Sequence, residues 1–134
     1  MTSRYEVIKI SPFEDERGEL KKVFTKKMLG TNEAIEEIYV LHTKENCIRG
    51  NHYHKKNVEF FSVIKGTATI ALRDLETGIT DVFRVSSEDN IVIRVPENIV
   101  HSFRNDEEDE LVIVAIASRQ YDLGDTDTYP FRLF

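Results

Sequence analysis

The sequence predicts an all-β protein in which two antiparallel sheets close into a sandwich or barrel. Short apolar runs recur at spacings of about ten residues, and Gly, Pro, Asn and Asp turn signals separate them. The run 67–72 shows strand alternation, because Ala68, Ile70 and Leu72 fall on one face. Helical signal is scarce, and residues 21–29 are expected to hold no more than a short helical turn. Strand signals therefore dominate the chain.

Seven apolar runs are expected to form strands. They cover residues 5–10, 36–42, 59–64, 67–72, 80–85, 90–95 and 110–117. Lys65 and Gly66 supply one turn between consecutive runs, and residues 76–78 supply another. The run 110–117 is almost entirely apolar, which is typical of a strand buried on both faces. The acidic residues 106–110 are expected to form a solvated hairpin tip.

Length and composition limit the class of protein. A chain of 134 residues that is 40% hydrophobic fits one core, and we expect a single domain over residues 1–134. The net charge of −6 argues against a protein that holds nucleic acid by bulk electrostatics. Cys47 is the single cysteine, which excludes an internal disulfide. We expect a cytoplasmic protein outside the membrane, because there is no apolar signal core and no run of about 20 apolar residues.

One short segment brings together residue types that bind metals. His52 and His54 are two positions apart, so on a strand both imidazoles point to the same face. Glu59 has the opposite parity and cannot share that face on an uninterrupted strand. Residues 55–58 must therefore contain a turn or bulge, after which Glu59 can face the two histidines.

A second segment supplies a third imidazole. Pro96 ends one apolar run, Asn98 tolerates a turn, and His101 is expected to open the next strand. Three of the four histidines of the chain thus fall in two segments that also carry a carboxylate and turn signals. Three imidazoles and one carboxylate suit Zn, Fe(II), Mn or Ni better than Ca or Mg.

Both segments resemble the two motifs that define cupins. The first motif is carried by His52, His54, Glu59 and Gly66. The second is carried by Pro96, Asn98, His101 and Asn105, with asparagine at position 98 where the family usually has glycine. The resemblance covers residues 38–117 and implies a cupin double-stranded β-helix, or jelly-roll barrel. It also implies a homodimer, and we expect residues 1–35 to be a strand-and-loop extension at its interface.

Two arginine motifs narrow the resemblance to cupins that act on nucleotide sugars. Arg17 precedes a glycine after an acidic run, and Arg49 lies three residues before His52. These motifs are similar to those of dTDP-4-keto-6-deoxysugar 3,5-epimerases and 3,4-ketoisomerases. The closest resemblance is to the C-terminal cupin domain of bifunctional capsular-polysaccharide enzymes of the UDP-N-acetyl-L-fucosamine pathway, which share the block 49–54 and an ending like 127–129. Those domains carry a zinc site and are assigned sugar epimerisation; here we expect the domain without their reductase half.

The resemblance implies a metal-dependent epimerase or isomerase that acts on a nucleotide-linked 4-keto-6-deoxy sugar in surface-polysaccharide biosynthesis. The implied cofactor is one divalent metal, with zinc first and iron, manganese or nickel as alternatives. The implied partner is a nucleoside diphosphate sugar. A metal at the site would polarise the keto oxygen while a proton leaves the neighbouring carbon and returns from the other face.

Four residues are expected to bind the substrate. Arg49 flanks the ligands, and its planar guanidinium suits a diphosphate or the sugar. Arg17 and Lys55 are further cations for the same charge. Asn51 belongs to the block shared with the capsular-polysaccharide enzymes.

Proton transfer on the opposite face is usually the task of a tyrosine in this family. Tyr121 follows the last long strand at the position resembling that tyrosine, and Tyr39 is the alternative, on a strand expected to line the barrel. The histidine that matches His52 is the general base in metal-free relatives and a metal ligand in metal cupins. One ring nitrogen cannot bind a metal and accept a proton at the same time. Glu59 favours the ligand role, because the metal-free ketoisomerases lack a carboxylate there.

Two other functions stay open. A metal-free dTDP-4-keto-6-deoxyhexose 3,4-ketoisomerase would use His52 and His54 as acid and base. A non-catalytic cupin would only bind the sugar nucleotide, as a sensor or as the partner of a separate reductase. Iron oxygenases share the ligand set, but the two arginine motifs argue against them.

Overall fold

The computed structural model describes residues 2–134, and strands make up nearly all of its regular structure. The strands are β1 (Glu6–Lys9), β2 (Phe13–Asp15), β3 (Gly18–Leu20), β4 (Glu37–Thr43), β5 (Ile48–Tyr53), β6 (Glu59–Lys65), β7 (Thr67–Asp74), β8 (Thr80–Ser86), β9 (Ile91–Val95), β10 (Ile99–Arg104), β11 (Leu111–Ala117) and β12 (Tyr129–Pro130). A short 3-10 helix, Lys26–Met28, lies where a helical turn was expected. The all-β prediction is confirmed.

Two five-stranded sheets face each other across the core. The first has the order β1-β9-β6-β11-β4, and the second has the order β12-β5-β10-β7-β8. All pairings are antiparallel, and β2 and β3 form a separate hairpin. No helix among residues 2–134 is long and apolar enough to cross a membrane.

The main core lies between the two sheets. Phe61 and Ile113 enter it from the first sheet, and Ile70 and Phe103 enter it from the second. A smaller cluster lies on the outer face of the first sheet, where the segment between β3 and β4 covers Phe60. The strand β11 is therefore buried on both faces over most of its length, as its apolar run predicted.

Close contact between β5 and β10 depends on Gly50. This residue has φ +94°, and a Cβ at its position would lie 2.6 Å from the carbonyl oxygen of His101. The pairing register between the two strands shifts between His101 and Ser102, which marks an irregularity in the ladder. Only glycine lets the two backbones approach this closely, and the approach pairs His52 directly with His101.

Three details differ from the sequence-based expectations. The strands β2, β3 and β12 were not predicted, because their sequences are too short to show apolar alternation. The strand β10 begins at Ile99, so His101 is its third residue and does not open it. The reason is that the turn is confined to Glu97 and Asn98, where Asn98 adopts φ +62°. The homodimer and the interface role of residues 1–35 stay predictions.

Candidate functional site

Four side chains converge inside the barrel. His52 lies on β5, His54 follows that strand, Glu59 begins β6, and His101 lies on β10. The ring centroids are 4.7 Å apart for His52 and His101, and 5.2 Å apart for each of the other two pairs. One ring nitrogen from each imidazole lies within 4.8 Å of the other two. The structure thus brings together all four residues that the sequence predicted as metal ligands.

Glu59 is the charged centre of this cluster and is 2% exposed. Its Oε1 lies 2.6 Å from His54 Nε2 and 3.5 Å from His101 Nε2. Its Oε2 accepts a hydrogen bond from the hydroxyl of Tyr39. Burial acts to raise the pKa of Glu59, but the hydrogen bond from His54 and the nearby imidazoles outweigh it and lower the pKa. The carboxylate is therefore held in its charged form.

Asp127 orients His54 and closes the turn before Glu59. Its carboxylate accepts hydrogen bonds from the backbone N–H groups of Lys55, Lys56 and Asn57, at 2.9, 3.0 and 2.9 Å. Its carbonyl oxygen lies 2.7 Å from His54 Nδ1, which directs Nε2 of that ring at the cluster. Sequence reasoning noticed Asp127 only as part of a family-like ending, because no local pattern shows that it reaches this turn.

His101 tests whether the cluster suits a metal. Its side chain is almost fully buried, and Nδ1 lies 3.3 Å from the carbonyl oxygen of Ile99. Its Nε2 has no hydrogen-bond partner in the part of the chain that the structure describes. Burial lowers the pKa of His101 to about 3, so the ring is neutral and its free electron pair faces Glu59 and the other imidazoles. A buried nitrogen without a partner, in a set of three imidazoles and one carboxylate, fits a divalent transition metal.

The other two imidazoles have opposite electrostatic surroundings. Burial lowers the pKa of His52, and the neighbouring His54 lowers it further. Burial also acts to lower the pKa of His54, but the hydrogen bond to Glu59 outweighs it and raises the pKa. The pKa values of these two neighbouring rings are therefore shifted in opposite directions.

Two cavities meet at the cluster. The first, of about 320 Å³, lies between the ends of β4 and β5 and the loop 119–128. The second, of about 310 Å³, lies between β4 and β5 on the other side. Tyr39 and His52 line both cavities, so these two side chains stand between them. Either cavity could hold a ligand in contact with the histidines.

The predicted tyrosines and Arg49 lie at these cavities. Tyr121 lines the first cavity and is 54% exposed. Tyr39 is partly buried, and its hydroxyl is committed to Glu59. Arg49 lines the second cavity, where its guanidinium donates a hydrogen bond to the carbonyl oxygen of His42 at 3.2 Å.

Two predicted substrate-binding cations are not brought to the site. Arg17 lies on the β2–β3 hairpin, pairs with Asp15 at 2.5 Å and is 80% exposed. Arg17 lines a surface depression on this hairpin, and no residue of that depression lines either cavity. The ammonium group of Lys55 lies 4.2 Å from the ring centroid of Tyr129 and lines neither cavity. The turn that aims Glu59 inward directs Lys55 away from it.

Asn51 contacts the C-terminal tail, and its contact with substrate stays a prediction. Its side-chain oxygen accepts hydrogen bonds from the backbone N–H groups of Leu133 and Phe134, at 2.9 and 3.3 Å. Its φ of +58° turns the side chain toward this tail and away from the barrel interior. Sequence reasoning instead missed Arg119 and Gln120, which line the first cavity from the loop after β11. No motif marks them, because only the folded loop brings them there.

The profile of the family described as Polysaccharide biosynthesis C-terminal domain matches residues 13–129. The chain belongs to this family. A curated relative of this polysaccharide biosynthesis C-terminal domain is the UDP-2-acetamido-2,6-beta-L-arabino-hexul-4-ose reductase of Pseudomonas aeruginosa, 31% identical over 81 residues. The match covers 60% of this chain, which spans only 22% of the length of that relative.

Solved structures resemble the whole polysaccharide biosynthesis C-terminal domain. The dTDP-4-dehydrorhamnose 3,5-epimerase of Bacillus anthracis, solved with TDP bound, is 18% identical with a TM-score of 0.80, covering 93% of this chain and 77% of its own. QdtA, a sugar 3,4-ketoisomerase of Thermoanaerobacterium thermosaccharolyticum in complex with TDP, is 20% identical with a TM-score of 0.79, covering 96% and 88%. The capsular polysaccharide assembling protein CapF of Staphylococcus aureus is 23% identical with a TM-score of 0.69, covering 92% and 33%. The expected cupin-type fold is confirmed.

Proposed function

We propose that this chain is a metal-dependent epimerase or isomerase that acts on a nucleotide-linked 4-keto-6-deoxy sugar in surface-polysaccharide biosynthesis. The observation that carries the proposal is the buried cluster of three imidazoles and Glu59, in which one imidazole nitrogen has no hydrogen-bond partner among residues 2–134. Family membership supports the biosynthetic class. The UDP-sugar reductase, the dTDP-sugar epimerase and the sugar ketoisomerase that this chain resembles support the substrate class.

The ligands of the proposed metal are His52, His54, Glu59 and His101. A divalent ion held there, with zinc first and iron, manganese or nickel as alternatives, would supply a Lewis acid for a keto oxygen. The carbonyl oxygen of Asp127 lies 2.7 Å from Nδ1 of His54 and so orients the ring with Nε2 on the side of Glu59, where the ion would be held. Tyr39 holds one oxygen of Glu59, which leaves the other oxygen facing the imidazoles.

Tyr121 is the proposed proton donor. It lines the first cavity from the loop after β11, whereas His52 and His54 line the same cavity from the barrel. Its hydroxyl forms no hydrogen bond within residues 2–134 and is free to reach a ligand, unlike the hydroxyl of Tyr39. A sugar in this cavity lies between the imidazoles and a phenol, which is the arrangement that proton exchange on two faces requires.

A second candidate function is that of a metal-free 3,4-ketoisomerase. The rings of His52 and His54 are 5.2 Å apart and both line the first cavity, so they can act on neighbouring carbons of one sugar. The likeness to a sugar 3,4-ketoisomerase over 96% of the chain favours this alternative over a module that only binds. Glu59 weighs against it, because this carboxylate occupies the side of His54 from which it would otherwise exchange a proton.

Two measurements test the proposal. Protein purified without a histidine tag is expected to contain about one equivalent of divalent metal, and less than about a tenth of an equivalent would contradict metal dependence. UDP- and dTDP-linked 4-keto-6-deoxy sugars are then incubated with the protein in deuterated water. Deuterium is expected at C3 or C5, and a chelator is expected to abolish its incorporation. Exchange that survives the chelator would favour the ketoisomerase, and no exchange with any donor would favour the binding module.

A further inference from the structure

The rim of the first cavity is formed by Arg119, Gln120 and Tyr121, which follow β11. The backbone N–H groups of these three residues all donate to side-chain oxygens. The acceptors are Asn57, Glu36 and Glu37, at 3.2, 3.0 and 3.3 Å respectively. The backbone of this rim is therefore attached to two other parts of the protein, while its three side chains line the cavity.

The lining of the first cavity contains four carboxylates, and each already has a partner. They belong to Glu37, Glu59, Asp125 and Asp127. Asp125 forms an ion pair with Lys56 at 2.7 Å, and Glu37 accepts the rim hydrogen bond described above. The carboxylates of Glu59 and Asp127 are occupied by side-chain and backbone donors respectively. The acidic groups of this cavity are thus engaged inside the protein.

Arg119 is different, because its guanidinium forms no hydrogen bond or ion pair within residues 2–134. It lines the first cavity and also a neighbouring surface hollow of about 580 Å³. Three side chains line both spaces, and the guanidinium of Arg119 is the charged group among them, while the carboxylates of Glu36 and Asp122 also line the hollow. A planar guanidinium with five N–H donors suits the oxygens of a phosphate.

We infer that Arg119 binds the diphosphate of the nucleotide sugar, with the sugar in the first cavity and the nucleoside in the neighbouring hollow. This inference rests on the function proposed above. A nucleotide sugar has the order sugar, diphosphate, nucleoside, and the structure has the order histidine-lined cavity, Arg119, outer hollow. Arg49 lies at the second cavity on the other side of Tyr39 and His52, so it contacts a different part of the ligand or none.

Binding of UDP, dTDP, uridine and thymidine by calorimetry tests this assignment. R119A is expected to bind UDP and dTDP about 10- to 100-fold more weakly than the wild type, because it loses charge-assisted hydrogen bonds, while nucleoside binding stays unchanged. R119K is expected to retain part of the affinity, because lysine keeps the charge without the planar fork. The control is R84A, which removes an exposed cation on β8 and changes the net charge equally.

The outcomes separate this inference from the proposed function. Equal UDP affinity in R119A and R84A would overturn the role of Arg119. A loss of UDP affinity confined to R49A would also overturn it, because the diphosphate would then lie in the second cavity. A wild type that binds neither nucleoside diphosphate would overturn both the substrate class and the role of Arg119. If R119A weakens UDP binding but the wild type shows no deuterium exchange, the diphosphate site stands and the proposed reaction fails.

Discussion

The barrel interior around Glu59 and the hairpin formed by β2 and β3 hold their charged groups in different ways. Glu59 is 2% exposed and contacts side chains from β4, β10 and the segment after β5. Asp15 on the hairpin is held by Arg17, two residues away, and Arg17 is 80% exposed. A group fixed by several strands has a defined geometry, whereas an exposed pair of near neighbours is weakly constrained. Only the cluster around Glu59 therefore has the fixed geometry that a binding or catalytic site needs.

The largest effect is expected from E59Q. The substitution keeps the size of the side chain but removes the charge at the centre of the cluster. Metal affinity is expected to fall by more than about 100-fold, since loss of an outer partner alone already costs about 10- to 100-fold. Competition with a chromogenic zinc chelator measures this change. The control is E19Q on the hairpin, and equal metal affinity in the two variants would remove Glu59 from the site.

A large effect on stability is expected from D74N. Asp74 is fully buried and binds Arg4 through side-chain contacts at 3.1 Å, in contrast to the exposed pair of Arg17 and Asp15. Burial acts to raise the pKa of Asp74, but the hydrogen bonds from Arg4 and from the backbone lower it from 3.8 to about 2. D74N is expected to lower the free energy of unfolding by about 2 kcal/mol at pH 7.

The pH dependence of this effect has a defined sign. A lowered pKa in the folded state stabilises the protein above pH 3.8, and this contribution disappears as the pH falls toward 2. The difference between wild type and D74N in urea titrations should therefore shrink over that range. D15N is the control and should show a much smaller difference, because the pair of Asp15 and Arg17 is exposed to solvent. A constant difference for D74N would contradict the ionic role of Asp74.

A smaller effect is expected from D127N. The asparagine side chain cannot accept from all three N–H groups of residues 55–57, so the turn before Glu59 loses part of its support, while the backbone carbonyl that contacts His54 is kept. Metal affinity is expected to fall by about 10-fold, with little change in the thermal midpoint. D125N is the control from the same loop, because the carboxylate of Asp125 forms an ion pair with the exposed Lys56 and accepts none of the three N–H groups that Asp127 binds. Equal metal affinities in the two variants would limit Asp127 to closing the loop.

The smallest effect is expected from R17A. The hairpin shares no lining residue with either cavity, so UDP affinity should match that of the wild type in calorimetry. K55A should behave in the same way, because its ammonium group lies over Tyr129. A loss of UDP affinity in R17A would show that the hairpin reaches a binding site, and the contrast between the two regions would then no longer hold.

The sequence predicted the cluster well because its geometry follows from strand parity. His52 and His54 had to share a face, and Glu59 could join them only through a turn, which is the arrangement found. The positions of Arg17 and Asn51 relative to the site could not be predicted from strand parity. Whether a motif residue faces the barrel or the surface depends on a left-handed backbone at Asn51 and on the placement of a hairpin outside both sheets.

Contacts made across long sequence distances were also invisible in the sequence. Asp127 contacts the turn at residues 55–57, which lies 70 to 72 positions earlier in the chain. The backbone of Arg119, which lines the first cavity, is hydrogen-bonded to Asn57, 62 positions earlier in the chain. Local periodicity carries no information about such pairs, since each partner looks like an ordinary polar loop residue.

The close approach at Gly50 offers a way to disable the site without touching any of its ligands. A methyl group at this position would meet the carbonyl oxygen of His101 at 2.6 Å, so β5 would have to move away from β10. His52 travels with one strand and His101 with the other. G50A is therefore expected to weaken metal binding while it keeps all four proposed ligands and changes only their spacing.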